Sequence, residues 1–172
     1  RFGIRTRVLD HEDALTSGDR IMIVKNHYFE DENPPMPFIA NGDLAVVQRV
    51  RNTIELYGFT FADVTLSFPD YDDVELTMTA ILDFLQADSP ALTTEQQKQL
   101  YDGVMEDYCD LPRKDERLKA MKNDIYYTAL QVKFAYAVTC HKAHGGQWGH
   151  VYIDQGYMTD DMLTPDYIHW LY

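Results

Sequence analysis

The densest group of side chains able to do chemistry lies in Thr139-Cys140-His141-Lys142-Ala143-His144-Gly145-Gly146-Gln147-Trp148. It offers the Thr139 hydroxyl, the imidazoles of His141 and His144, the Lys142 amine and two adjacent glycines, with no carboxylate among them. Acid–base work by a histidine needs a neighbour to orient it, and the loop supplies no such carboxylate. Hydroxyl, imidazole and amine donors beside bare backbone N–H groups suit phosphate oxygens better. Two other readings stand next to this one. The glycines can simply make a turn, as they do in loops generally. Cys140, His141, His144 and His150 carry zinc-ligand donors, but the consecutive Cys140 and His141 would point apart, and zinc content by elemental analysis separates the cases.

The elements that would position this loop are legible on both sides. Gln131–Val138 has strand character and runs directly into it, and Val151–Asp154 begins another strand. A strand, a polar glycine-containing loop and a second strand place side chains and free N–H groups at a sheet edge. Upstream, Ser17-Gly18-Asp19 announces a strand over Arg20–Asn26, and Asn33-Pro34-Pro35-Met36-Pro37 must be a loop, because proline cannot join a ladder. Phe38-Ile39-Ala40, the Asn41-Gly42 turn and Leu44–Val50 carry a hairpin cue. Thr53–Phe59 and Ala62–Phe68 alternate, and Val74–Met78 adds a strand, so five short strands imply a small barrel. The composition then turns helical. Thr93 is placed as an N-cap with Gln96 completing a capping box, while Leu100, Val104 and Tyr108 follow at helical spacing until Pro112. Arg113–Lys122 reads as a second, exposed helical stretch.

With 172 residues, 45% hydrophobic and 25% charged, the chain can bury the core of one folded unit plus an insertion. No apolar run is long enough for a membrane span, no secretory signal opens the chain, and the two cysteines are far apart. These features lead us to expect a soluble protein of the reducing cytoplasm, without a membrane partner. The start at Arg1 and the end at Trp170-Leu171-Tyr172 inside an apolar run lead to the expectation of a piece of a longer protein. The net charge of −13 opposes the basic footprint of a free-standing DNA binder, so any DNA contact must be local. The acidic runs Glu30-Asp31-Glu32 and Asp70-Tyr71-Asp72-Asp73 read as solvated turns, since neither has the spacing of a calcium loop.

Tyr136-Ala137-Val138-Thr139-Cys140-His141-Lys142-Ala143-His144-Gly145-Gly146-Gln147-Trp148 resembles motif V of the UvrD/RecD-type superfamily 1 helicases, Tyr-Ala-(Ile/Val)-Thr-x-His-Lys-(Ser/Ala)-Gln-Gly-x-Glu-(Phe/Trp). His144 stands where the family has glutamine and Gln147 where it has glutamate. Gly18-Asp19-Arg20-Ile21-Met22, Asn26 and Phe38-Ile39-Ala40-Asn41-Gly42-Asp43-Leu44 are similar to a pattern upstream of motif V in RecD-like and Dda-like helicases, with Ala45 replacing a glycine. Trp170-Leu171-Tyr172 resembles the opening of motif VI, and no Gly-x-x-x-x-Gly-Lys-(Ser/Thr) loop occurs in the chain.

The resemblance implies an α+β chain, with an SH3-like β-barrel inserted in a truncated RecA-like α/β domain. Its bounds would be 1–29 and 124–172 for the partial second RecA-like domain, and 30–123 for the barrel with its helical segment. It implies that Thr139 and His141, with Lys142 beside them, hold the backbone of single-stranded DNA, and that Gly145, Gly146 and Gln147 face ATP. The parent would be an ATP-dependent DNA helicase, or a RecD-like exodeoxyribonuclease subunit, acting in DNA repair or recombination. ATP and Mg2+ would belong to the full-length protein and none to this piece. Its partners would be an N-terminal RecA-like domain of the same chain and a nuclease subunit. Without the phosphate-binding loop and the motif VI arginine, the piece alone would not hydrolyse ATP, and no residue in it would be catalytic or bind metal. The alternative is an SH3-like module that binds peptides, with Tyr28-Phe29 and Tyr126-Tyr127 as its exposed aromatics. The same aromatics would stack bases if the ligand were single-stranded DNA.

Overall fold

A computed structural model describes residues 14–29, 34–85, 91–139 and 150–154. The chain divides into two units, Arg1–Ala137 and Val138–Tyr172. In the first, the strands are β1 (Arg20–Ile23), β2 (His27–Tyr28), β3 (Phe38–Ile39), β4 (Leu44–Leu56), β5 (Phe59–Phe68), β6 (Val74–Ile81) and β7 (Leu130–Phe134). Two helices, α1 (Thr94–Asp107) and α2 (Lys114–Lys122), lie between β6 and β7. The architecture is α+β. Strands β1, β4, β5, β6 and β7 form a closed barrel in that order, and β2 and β3 make a separate two-stranded ribbon.

The barrel closes where β7 pairs antiparallel with β1, Ile21 opposite Phe134. On its other side β7 runs parallel to β6, Ala80 opposite Leu130. Parallel neighbours cannot be joined by a tight turn and need a long crossover, usually helical. Helices α1 and α2 are that crossover. Strand β4, 13 residues long, shifts register against β5 between Val47 and Arg49 and again between Arg51 and Ile54. Such bulges bend a strand and increase its twist, as closing a small barrel requires.

Residue parity on β5 explains how one strand serves two cores. Ala62, Val64, Leu66 and Phe68 point into the barrel with Ile21, Val47, Leu130 and Val132. Phe59 and Phe61 face the other way and pack with Phe84, Leu100, Val104 and Met121 beneath the helices. The expected capping box of α1 is present: the Gln96 N–H donates to Thr93 Oγ1 at 3.3 Å and the Thr93 N–H to Gln96 Oε1 at 3.0 Å. Helix α1 stops at Asp107, ahead of Pro112.

The five staves are not the five strands expected. Thr53–Phe59 does not form a strand of its own: its first part continues β4, and the chain then reverses at Tyr57-Gly58, where φ is 56° and 79°. Two consecutive positive φ values are those of the tight turn whose twist suits a hairpin. The Asn41-Gly42 turn exists, but the strands flanking it do not pair with each other: β3 pairs with β2, and β4 with β1. The Gly42 N–H is taken by the Ile23 carbonyl at 2.8 Å, so the turn hands the chain from the ribbon to the barrel. Strands β1 and β7, read from sequence as parts of the flanking domain, are barrel staves. The run Asp70-Tyr71-Asp72-Asp73 is a turn with its three carboxylates exposed, while Glu30-Asp31-Glu32 lies outside the described residues.

Candidate functional site

The closure of the barrel brings together two segments distant in sequence. Gly18-Asp19-Arg20 opens β1, and Tyr136 follows the end of β7. Beyond Phe134 the ladder makes one more rung, with the Ala135 N–H donating to the Arg20 carbonyl at 2.8 Å. Tyr136 then donates its hydroxyl to the Asp19 carboxylate, a contact between residues 117 positions apart. Asp19 is fully buried, 0% exposed. Its other oxygen accepts from the Thr16 N–H at 2.8 Å and from the Thr16 hydroxyl at 3.2 Å. The backbone around it is fixed as well: the Gly18 N–H reaches the Val47 carbonyl at 2.7 Å, and the Val47 N–H reaches the Asp19 carbonyl at 2.9 Å.

The second sequence pattern is also a set of structural clamps. Asn26 Oδ1 accepts the Asn41 N–H at 2.8 Å. One Asp43 carboxylate oxygen accepts the Ala40 N–H at 2.7 Å and the Tyr71 hydroxyl at 3.0 Å. Burial first, then this bond, pushes the Tyr71 phenol upward from its ordinary value. Asn26, Asn41 and Asp43 thus join the ribbon and the turn to the mouth of the barrel. Sequence spacing hinted at the grouping of Asn26 and Asp43, but nothing local pointed to Tyr71.

Of the residues expected to touch DNA, Thr139 is described and exposed in the second unit. His141 and Lys142 lie outside the described residues, as do the nucleotide-facing candidates Gly145, Gly146 and Gln147 and the alternative zinc ligands Cys140 and His144. His150 is exposed. Among the described residues no group of His, Cys, Asp or Glu is placed to hold a metal ion. Among them too, no helix is long and apolar enough to cross a membrane.

The first unit also carries an open groove of about 950 Å³ between the ribbon, the outer face of β5–β6 and the turn after α2, lined among others by Tyr28, Asp63, Thr77, Met78, Lys122 and Ile125. Tyr28 is 66% exposed and stacks on Phe38, ring centroids 5.7 Å apart and 25° between planes. The other expected surface aromatics are only partly exposed. Phe29 packs on the barrel core. Tyr126 meets Phe61 edge-on at 5.1 Å, and Tyr127 meets Tyr101 at 6.5 Å, both under the helices. Both tyrosines pack, partly buried, against the second core. His27, on the groove wall, is held below the usual histidine range by burial and by Lys25, against a bond to the Thr128 backbone.

Residues 134–172 match the family model of the UvrD-like helicase C-terminal domain. That span is similar to a UvrD-like helicase C-terminal part. A comparison of the chain with curated proteins gave no match. The match begins at Phe134, the last residue of β7, so its first residue is still a rung of the barrel. The five-stranded barrel ahead of it fits an SH3-like insert.

Proposed function

We propose that this chain works as part of an ATP-dependent DNA helicase of RecD-like kind, binding single-stranded DNA through the segment that follows β7. The observation that carries this reading is the UvrD-like match beginning at Phe134, on the stave that closes the barrel. In this reading the segments outside the barrel belong to a second RecA-like domain, which works against a first one supplied elsewhere in the same protein. A nuclease subunit would be a further partner, and the setting would be cytoplasmic.

Thr139, His141 and Lys142 grip phosphate oxygens: a hydroxyl, an imidazole and an amine can each donate a hydrogen bond, and the amine adds charge. Gly145 and Gly146 let backbone approach the nucleotide. Gln147 can hydrogen-bond a ribose but supplies no charge. ATP, held with Mg2+ by the complete enzyme, supplies the energy for translocation. The barrel guides or separates the strands.

The test is a pair of substitutions in the complete helicase. Thr139→Ala combined with His141→Ala should lower DNA-stimulated ATPase at least tenfold more than DNA-free ATPase, the loss expected from removing two phosphate contacts at about 1 kcal/mol each. An equal loss in both, or none, would sink the grip. The 172-residue chain by itself should show no ATPase and only weak, salt-sensitive DNA binding, given its net charge of −13.

The groove favours a second reading, a peptide-binding barrel, because it is lined by the exposed Tyr28, which stacks on Phe38, and by Ile125, 58% exposed. Tyr28→Ala separates the two. Weakened binding of oligothymidylate with little salt dependence supports base stacking, and unchanged DNA binding with loss of a proline-rich peptide supports the peptide reading.

A further inference from the structure

We infer that the open edge of β6 docks an extended peptide of a partner protein, which adds to the barrel as a further strand with basic residues at its C-terminal end. This deepens the peptide reading of the groove and rests on it. Strands β5 and β6 pair without a register shift from Phe61 and Ile81 to Phe68 and Val74. The Leu82 N–H donates to the Thr60 carbonyl at 2.9 Å, and main-chain groups alternate in direction along an antiparallel strand. Ala80, Met78, Leu76 and Val74 therefore turn their N–H and C=O groups to β5, and Thr79, Thr77 and Glu75 turn theirs to the opposite edge. Among the described residues, β7 covers that edge only at Ala80 and Ile81. The chain before Leu130 is curled into a turn instead. One Asp124 carboxylate oxygen accepts the N–H groups of Tyr126 and Tyr127 at 2.9 Å each, and the Asp124 carbonyl accepts the Thr128 N–H at 3.0 Å. Leu76 and Met78, from the barrel side of β6, line the same groove as Thr77 and Thr79, from its outer side, so the groove runs along the strand's edge. Glu75 to Thr79 offers about 13 Å of edge at about 3.3 Å per residue. Exposed edges are blunted by proline, lysine or a bulge, and β6 has none of these. A row of unpaired N–H and C=O groups recognises another peptide main chain. Apolar Phe29, Leu76 and Met78 on one side and polar Thr77 and Thr79 on the other match the alternating side chains of a strand. Charge selects among occupants. Asp70, Asp72, Asp73 and Glu75 are exposed around the start of β6, and Lys122 is the only lysine or arginine among the described residues lining the groove. A phosphate backbone would meet mostly carboxylates there, and a second copy of a chain with net charge −13 would be repelled. A peptide antiparallel to β6, the more stable pairing, brings its C-terminal end to these carboxylates.

The experiment uses the 172-residue chain and a fluorescein-labelled peptide of alternating valine and threonine that ends in two lysines, with binding followed by anisotropy. The wild type should bind this probe, and oligothymidylate should not displace it. Methylating the main-chain nitrogens of one alternate set of peptide residues should lower affinity at least about tenfold, because those N–H groups pair with β6, while methylating the other set should change it less than about threefold. Thr77→Pro removes an edge N–H and no bond to β5, and it should lower affinity about tenfold. Thr77→Val loses the same hydroxyl contact with Thr65 but keeps the N–H, and it should stay within about twofold of the wild type. Exchanging the terminal lysines for glutamates should weaken binding about tenfold at low salt and less at about 1 M salt. If Thr77→Pro unfolds the protein, the two methylated peptides on the wild type still decide. Equal effects of the two methylated sets, or no effect of either, overturn the edge. A probe displaced by oligothymidylate gives the groove to DNA, and a dimer made monomeric by Thr77→Pro gives the edge to a second copy; both overturn the proposal. A chain that binds a proline-rich peptide through Tyr28 but not the alternating probe keeps the peptide reading and removes the edge, whereas a chain that binds neither removes both.

Discussion

Asp43 gathers a backbone N–H and a phenol onto one oxygen, at 2.7 Å from Ala40 and 3.0 Å from Tyr71. Removing an acceptor that leaves partners part-buried costs about 1–3 kcal/mol, so Asp43→Ala should lower unfolding stability by that amount in urea denaturation. Tyr71→Phe should cost about 1 kcal/mol or less, because only a single bond is lost. Equal effects of the two substitutions would mean that the Ala40 bond contributes nothing. Tyr57, Tyr71 and Tyr108 share this chemistry, each phenol bonded to an aspartate. Burial and a bond to Asp107 raise the Tyr57 phenol, burial and Asp43 raise Tyr71, and a 2.9 Å bond to Asp124 with burial raises Tyr108. Each holds its proton more tightly folded than unfolded, so its contribution is complete below the ordinary value of 10.0 and is lost as pH rises through the folded value. Stability should therefore fall with alkali above about pH 10, and it should fall less steeply in Tyr57→Phe and Tyr108→Phe. A slope unchanged in both variants would show that these phenols titrate as in the unfolded chain.

At the scale of elements, α1 presses on the β4–β5 hairpin. A Cβ on Gly103 would sit 2.6 Å from Cδ1 of Tyr57, whose hydroxyl is bound to Asp107 on the same helix. Glycine inside a helix ordinarily costs about 1 kcal/mol relative to alanine. Here the sign should invert: Gly103→Ala should destabilise by about 1–3 kcal/mol, the usual range for overpacking, since the pinned ring cannot swing away. A more stable Gly103→Ala protein in urea would show that the helix does not bear on Tyr57. The neighbouring contact is softer, because at Gly58 the atom in the way is the end of the Gln99 side chain. These elements also show what sequence makes legible. The capping box of Thr93 and Gln96 could be read because its two parts are three residues apart and use only local hydrogen bonds. The Tyr57-Gly58 reversal could not, because alternation runs through Leu56 and Phe59 and a single glycine does not fix where a strand turns. The contact between Asp19 and Tyr136 has no local signature at all. Each residue stood in a recognisable pattern, but their union depends on how the barrel closes. Thr139 was legible as an exposed polar residue after a strand, a property that the chain pattern alone carries.

For the whole molecule the consequence of closure is where a folding unit must begin and end. The insert expected from sequence, residues 30–123, leaves out β1 and β7 and so lacks two of the five staves. It would expose both the β4 edge that pairs with Arg20–Met22 and the β6 edge that pairs with Leu130 and Gln131. Open edges and a core missing Ile21, Ile23, Leu130 and Val132, each at most 2% exposed in the intact unit, should not support a stable barrel. The unit Arg1–Ala137 contains every stave, both helices and the Asp19–Tyr136 bond. Expressed alone, residues 1–137 should melt in a single cooperative transition, and residues 30–123 should not. The reciprocal test is sharper still. Ending the longer piece at residue 133 removes Phe134, Ala135 and Tyr136 together, and with them the final rungs to Ile21 and Arg20. Its transition should move down by roughly 10 °C, as expected for a domain of this size losing about 3 kcal/mol. A piece ending at 133 that melts where 1–137 melts would mean that the barrel closes without its last rungs. The segment that opens the UvrD-like match would then be a passenger on the barrel rather than one of its staves.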